Sequence, residues 1–488
     1  MPIPKDILAV ERPSSTRVKK SGNRYLVIKR TSKRVGNRVV PVELGTIGEI
    51  IDGRYVELRS APRRKRNVVD IKDYGEVALC NSAAKDLFFE LNDVFDTKTA
   101  EKLFVIALLR AADPDIKDRD LKFAYDTSFL SELYPSVGLS ENTVSDFLED
   151  VGMAYRYIQK FMENRVAGHC GKTLVIDGTL KDSNSIVNSF SEFSRKGCTK
   201  GSRDMNLLYA YDVQTQEPVA AKPYPGNMLD MTAIEDFVRG YSIKTGILVM
   251  DKGFYSKAVI ERLKTIEGLT YIIPLKNTAK VLRENNILDG IVSPLTSSND
   301  SVVFYKKVKI SDKSYIYAFR DPRIAGEQEA GYYVYAKKKK IFSEEKLLEK
   351  RNGFGVIAFE SKSDLSPSEV YEAYAKRWEI ETMFYMYKEI IELDTVNVHS
   401  DYSVYATELI NYLSVIISLR VKKKLKNTPL SATKKNKSTA KNISEVYSYR
   451  QVMRYLSKYK MLRVGDSENW IPCQMVKYIS ELAMDLGV

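Results

Sequence analysis

Four short apolar runs do most to limit what this chain can fold into. KTLVIDGT (172–179), GILVMDKGF (246–254), LTYIIPLK (269–276) and GFGVIAFES (353–361) read as buried strands. After the first, LLYAYDVQTQEPVAAKPYPGN (207–227) reads as two strands joined by a turn near Gln214 to Pro218. Helices follow at 230–241 and in SKAVIERLK (256–264). Strand, hairpin, helix, strand, helix, strand is the order of a mixed α/β sheet. The first two runs end in a carboxylate, Asp177 and Asp251. A carboxylate just past a buried strand is held rigidly at a sheet edge, where ligands bind. Taken singly, each is also the ordinary turn-forming Asp.

The last strand leads into YEAYAKRWEIETMFYMYK (371–388), which has neither Pro nor Gly and reads as helix. Ser366 with Glu369 makes a capping box, and Pro367 suits the first turn. Tyr374, Arg377, Glu381 and Lys388 fall within an arc of about 60° on an ideal helix, along roughly 21 Å of axis. A carboxylate on such a stripe can ligate a metal while the cations and the phenol grip phosphates beside it. For this helix alone, a surface i,i+4 salt bridge between Arg377 and Glu381 accounts for the same residues.

The rest of the chain sets the context. At 488 residues it holds about three domains by the usual size prior. A net charge of +13 favours a polyanion, nucleic acid before acidic membrane. Four scattered cysteines and two histidines supply neither a zinc motif nor a Ser-His-Asp arrangement. The N-terminus lacks an apolar signal core, and the apolar run 409–419 is too short to span a bilayer, so a cytoplasmic, reducing setting is expected. Residues 23–59 alternate as a small antiparallel β unit, followed by the basic cluster Arg63–Arg66. Residues 84–166 take a helical period, with a long helix opened near Ser140 and a helix-turn-helix-like stretch at 133–152. Residues 285–350 read as a β-rich insertion with a basic face, AGYYVYAKKKKI (330–341) included. An apolar helix (402–420), a lysine-rich run to 441 and a final helical piece (443–488) close the chain.

Asp177, Asp251 and Glu381 together make a set of hard oxygen ligands suited to a pair of Mg²⁺ ions. The order Asp177, Asp251, then Tyr374-x2-Arg377-x3-Glu381-x6-Lys388 resembles the DDE transposases of the insertion-sequence-4 group, with their Y-R-E-K signature. VIDGT, KGSRD (200–204), YPGNMLD (224–230) and DKGF agree with it. ELGTIGEI in the N-terminal unit resembles the insertion-sequence-1634 branch. The resemblance is good over about 170–395, weaker before it and unspecific after it.

The resemblance implies an RNase H-like core with a mixed sheet (169–284 and 351–400), interrupted by the β-rich insertion (285–350). Around it lie a β-rich N-terminal region (1–70), a helical DNA-end-binding domain (71–168) and a helical C-terminal region with a basic linker (401–488). It implies that Asp177, Asp251 and Glu381 are catalytic and bind two Mg²⁺ ions, with Mn²⁺ as a substitute. Tyr374, Arg377 and Lys388 would hold phosphates near the cleaved end. Lys252, Arg203 and Lys200 are further phosphate candidates, or simply solvated. The implied partner is double-stranded DNA, both element ends and target, held by a homodimer with no membrane involved, in the nucleoid of a bacterium or archaeon. Two alternatives stand beside this reading: a non-catalytic DNA-binding protein derived from a transposase, and an RNase H-like nuclease without strand transfer.

Overall fold

In the computed structural model, which describes residues 3–35, 38–58, 69–194, 203–228, 230–295, 302–393, 395–431, 441–465 and 467–488, the apolar runs pair into one mixed sheet. Its central strand is Thr173–Ser183. Gly246–Met250 runs parallel to it, with Val249 opposite Val175 and Met250 opposite Ile176. Arg203–Asp212 runs antiparallel on the other side, with Asp177 opposite Tyr209, and Glu217–Pro225 pairs beyond it. Leu269–Leu275 lies parallel to Gly246–Met250. Val356–Ser361, Ser314–Arg320 and Phe304–Ser311 then extend the sheet antiparallel.

The central strand is longer than its sequence suggests. It continues through Asp177 to Ser183, because each residue from Leu174 to Ser183 has a partner on Arg203–Asp212. Gly178 does not turn the chain; a Cβ there would lie 2.8 Å from Leu208, so its role is close packing.

The chain divides into two units, Met1–Asp70 with Val464–Glu468, and the remainder. The first holds the four-stranded antiparallel sheet Thr16–Ser21, Arg24–Val35, Arg38–Ile51 and Arg54–Glu57. Its core is Val18, Val27 and Ile50.

In the second unit, the helix Asp401–Asn427 is the axis of the core. It is longer than the apolar run in the sequence, and long and apolar enough to cross a membrane, yet 83% of its apolar window is buried inside the protein. The helices Gly75–Asn92, Thr97–Ala112 and Glu141–Met153 and the strand Glu217–Pro225 cover it. The helix expected to run on from Ser140 breaks at Ala154, where ψ is 33°, and resumes as Tyr155–Gly168. The C-terminal piece is not wholly helical, since Lys460–Val464 pairs with Ile471–Pro472.

The insertion corrects the sequence reading further. Its first part is β, but AGYYVYAKKKKI is not a strand. It lies on and just past the helix Pro322–Lys338, followed by the helix Glu344–Arg351. Asp321 starts the first helix by accepting from the N–H groups of Arg323 and Ile324, with Pro322 in the first turn. Only Ala325 and Ala336 of the two helices are buried.

Candidate active site

The parallel register places the two aspartates side by side. One residue beyond the pair Met250–Ile176 come Asp251 and Asp177. Gly246–Met250 stops there, because Asp251 leads into the short 3₁₀ turn Lys252–Phe254. The central strand goes on, and Thr395–Val396 joins it only at Asp182. Between Asp177 and Lys181 one edge of the central strand is therefore open.

The Glu381 helix crosses this region. Its start is as expected: Ser366 Oγ accepts from Glu369 N–H at 3.2 Å, and Ser366 N–H donates to Glu369 Oε2 at 2.8 Å. Beyond that it is not one helix. Pro367–Ala375 ends, and bonds of the i to i+3 type tighten the chain at Arg377 (to Tyr374, 2.9 Å), Glu379 (to Lys376, 3.0 Å) and Ile380 (to Arg377, 3.2 Å). Trp378–Tyr385 resumes the helix and Met386–Ile390 widens into a π-turn. The steady 100° step behind the stripe is lost at both places. Contacts to the sheet decide where each side chain lands. Phe384 and Tyr387 pack edge-on against Tyr209, the cross-strand partner of Asp177, with centroids 5.9 and 6.2 Å away.

Arg377 joins the two elements. Its Nη1 donates to Asp177 Oδ2 at 3.1 Å and its Nη2 to Glu381 Oε1 at 2.9 Å. The side chains of Asp177 and Arg377 are 18% and 20% exposed and that of Glu381 60%, so the site opens to solvent on the glutamate side. Tyr374 packs on Phe359, with the Arg377 guanidinium 5.7 Å from its ring centre. Lys388 lies further along the open edge, where its ammonium donates to the Leu180 carbonyl at 2.6 Å. That carbonyl faces the gap in the sheet, and the lysine supplies its missing donor.

Burial pushes the Asp177 carboxyl up from 3.8 to about 6. The Gly178 N–H and Arg377 pull it down, and Asp251 and Glu381 push it up again. Burial likewise raises the Tyr374 phenol, against the pull of Arg377. For Arg377, burial favours the neutral form, but Tyr374, Asp177, Asp251 and Glu381 outweigh it and hold the guanidinium charged. This is a carboxylate cluster short of positive charge, with one guanidinium shared across it.

Among the described residues, no three metal-ligating side chains stand close enough together to share an ion. The donor chemistry nevertheless fits a divalent metal: three hard oxygen donors, one of them titrating high because burial and like charges surround it. Arg377 supplies the compensating charge in this arrangement, so the expected salt bridge with Glu381 is present and extends to Asp177.

The lesser candidates separate. Lys252 is exposed in the turn after Asp251. Arg203 pairs with Ser183, six residues along the strand from Asp177, about 20 Å at the rise of a strand. There it donates to the Ser191 carbonyl at 2.9 Å and lies over the Phe193 ring. Lys200, like Arg63–Arg66 and residues 432–440 of the lysine-rich run, lies outside the described residues. Sequence reasoning missed the buried set Lys181, Tyr387 and Glu408 close by. The one available signal was a lysine four residues after Asp177, hence on the same face of the same strand.

Residues 168–407 match the family model described as the transposase DDE domain, a span that includes Asp177, Asp251 and Glu381. The matched span is just under half of the chain, and it likens that part to the DDE domain of transposases. Among solved structures, the cryo-EM structure of a piggyBac transposase synaptic complex with hairpin DNA is similar at 13% identity and a TM-score of 0.38, covering 74% of this chain and 70% of that one. None of the curated proteins matches the sequence.

Proposed function

We propose that this chain is the transposase of an insertion sequence of the insertion-sequence-4 group, nearest the insertion-sequence-1634 branch, with an RNase H-like catalytic core. It cuts at the terminal inverted repeats of its element and joins the 3′ ends to target DNA. The observation that carries the reading is Arg377 held between Asp177 and Glu381, beside Asp251, at the open edge of the central strand.

Asp177, Asp251 and Glu381 would hold two Mg²⁺ ions, with Mn²⁺ able to replace them. When bound, such ions lower the pKa of a coordinated hydroxyl and offset the charge that develops on the phosphate. With Asp177 and Glu381 engaged in that role, Arg377 would be free to leave its two carboxylates. Its forked donors, beside the Tyr374 hydroxyl, then suit the non-bridging oxygens of a phosphodiester. Lys388 and Lys252 add positive charge along the same edge. In the first step a water oxygen attacks phosphorus and the bond to the 3′-oxygen breaks. In the second, the freed 3′-hydroxyl attacks a target phosphate and displaces that strand's 3′-oxygen. A homodimer holding two element ends accounts for paired cutting, and the nucleoid of a prokaryotic cytoplasm is the setting.

The test is to incubate the purified chain with a plasmid carrying the inverted repeats that flank its gene, a target plasmid and Mg²⁺. Cut ends joined to the target are expected, with activity lost in Asp177→Ala, Asp251→Ala and Glu381→Ala. Normal cutting by all three variants would sink the assignment. Cutting without joining indicates the nuclease, and salt-dependent binding without cutting the non-catalytic DNA-binding protein.

A further inference from the structure

Four residues past Asp177, on the same face of the strand, Lys181 is buried to 1% exposure. Its ammonium donates to Glu408 Oε1 at 2.5 Å and to the Tyr387 hydroxyl at 2.8 Å. Tyr387 in turn donates to Glu408 Oε2 at 2.9 Å, closing a ring of three buried polar groups. Glu408 lies on the core helix Asp401–Asn427, and Tyr387 in the π-turn that follows Glu381. From Glu408 the chain of bonds continues through Asn411 to Arg110 and the exposed Asp118.

A buried ion pair is a poor way to gain stability, since removing two charges from water costs about as much as their attraction returns. What this one provides is direction. Two consecutive residues of the π-turn grip two consecutive residues of the strand: Tyr387 holds the Lys181 side chain, and Lys388 holds the Leu180 carbonyl. Those two grips fix how the helix is rotated about its own axis against the strand. Glu381, one and a half turns earlier in the helix that runs without a break into this π-turn, is thereby aimed at the Asp177 side of the sheet.

We infer that Lys181, with Tyr387 and Glu408, is a positioning residue that sets the divalent-metal affinity of the Asp177, Asp251 and Glu381 set. The inference rests on the proposed function.

The test uses the full chain. Lys181→Met combined with Glu408→Leu replaces the ion pair by apolar groups of similar bulk, and Tyr387→Phe removes one link only. Mn²⁺ binding is measured by titration calorimetry without DNA, beside the melting temperature, the Mn²⁺ midpoint for cleavage and the KM for DNA ends. The double variant is expected to melt near the wild type yet bind Mn²⁺ about tenfold more weakly, as outer-shell changes typically do. Its cleavage midpoint should rise by the same factor while KM stays put. Tyr387→Phe should show about a threefold loss, and it carries the test if the double variant does not fold. Wild-type Mn²⁺ affinity in a folded variant overturns the positioning role alone. If the wild type binds Mn²⁺ no better than Asp177→Ala, both this role and the proposed function fall.

Discussion

Asp177→Asn tests the electrostatics of the site in the metal-free protein. The folded Asp177 carboxyl titrates near 6 instead of 3.8, chiefly through burial, with Asp251 and Glu381 outweighed in part by Gly178 and Arg377. That displacement corresponds to about 3 kcal/mol. The group is an acid whose folded pKa is raised, so the fold favours its neutral form. Its stabilising contribution is complete below about pH 4 and is lost as the pH rises through 6. Above pH 7 the folded protein carries an ionised Asp177 against that preference. Asparagine keeps the shape without the charge. In EDTA at pH 8 the variant should therefore be more stable than the wild type, by up to about 3 kcal/mol, and the gap should fall to about half of that at pH 5 and towards zero only below pH 4. Saturating Mg²⁺ should close most of the gap. An ion at a hundred times its Kd adds about 2.7 kcal/mol to the wild type and little to a variant that has lost a ligand. Urea or thermal melts at the two pH values, with and without metal, give all the numbers. A variant no more stable than the wild type at pH 8, or a gap that ignores pH, refutes the reasoning.

Two further outcomes are expected. A Cβ on Gly152 would lie 1.9 Å from the backbone oxygen of Tyr402, where the helix Glu141–Met153 meets the core helix. Gly152→Ala should thus cost about 2–3 kcal/mol, read as a lower melting temperature, and a wild-type melt would refute the contact. Arg377→Lys keeps the charge but not the fork that bridges Asp177 and Glu381. It should lose about 100-fold in cleavage rate and fail to restore the wild type, and full activity in that variant would show that a point charge suffices.

Local chemistry was legible in the sequence; distance was not. The capping box at Ser366 and the strand that ends just before Asp251 form as the residues dictate. The tyrosine-rich AGYYVYAKKKKI was misread because alternating bulky residues suggest a strand, while the Asp321-Pro322 start, a helix signal, lay nine residues upstream. The strand through Asp177 is read short because a turn-forming Asp closes its apolar run, and only its partner strand shows that the chain runs on, with Gly178 there for close packing. The stripe Tyr374, Arg377, Glu381, Lys388 assumed a uniform helix. The tightened turn at Arg377 and the π-turn at Met386–Ile390 are set by packing on Tyr209 and by bonds to the strand, which no local pattern announces. Lys181 and Glu408 stand 227 positions apart in the chain, so their pairing was out of reach.

The helical excursion Pro322–Arg351 has a consequence for how this chain can vary. The strands on either side of it, Ser314–Arg320 and Val356–Ser361, are neighbours, and Arg320 is already paired with Val356 where the excursion leaves and returns. The sheet is closed at its mouth. Its length can change by whole helical turns at the small, logarithmic entropic cost of a longer loop, without moving a strand that leads to Glu381. The excursion is a module hung from a finished frame. Chains sharing this frame are expected to differ most in what they carry there.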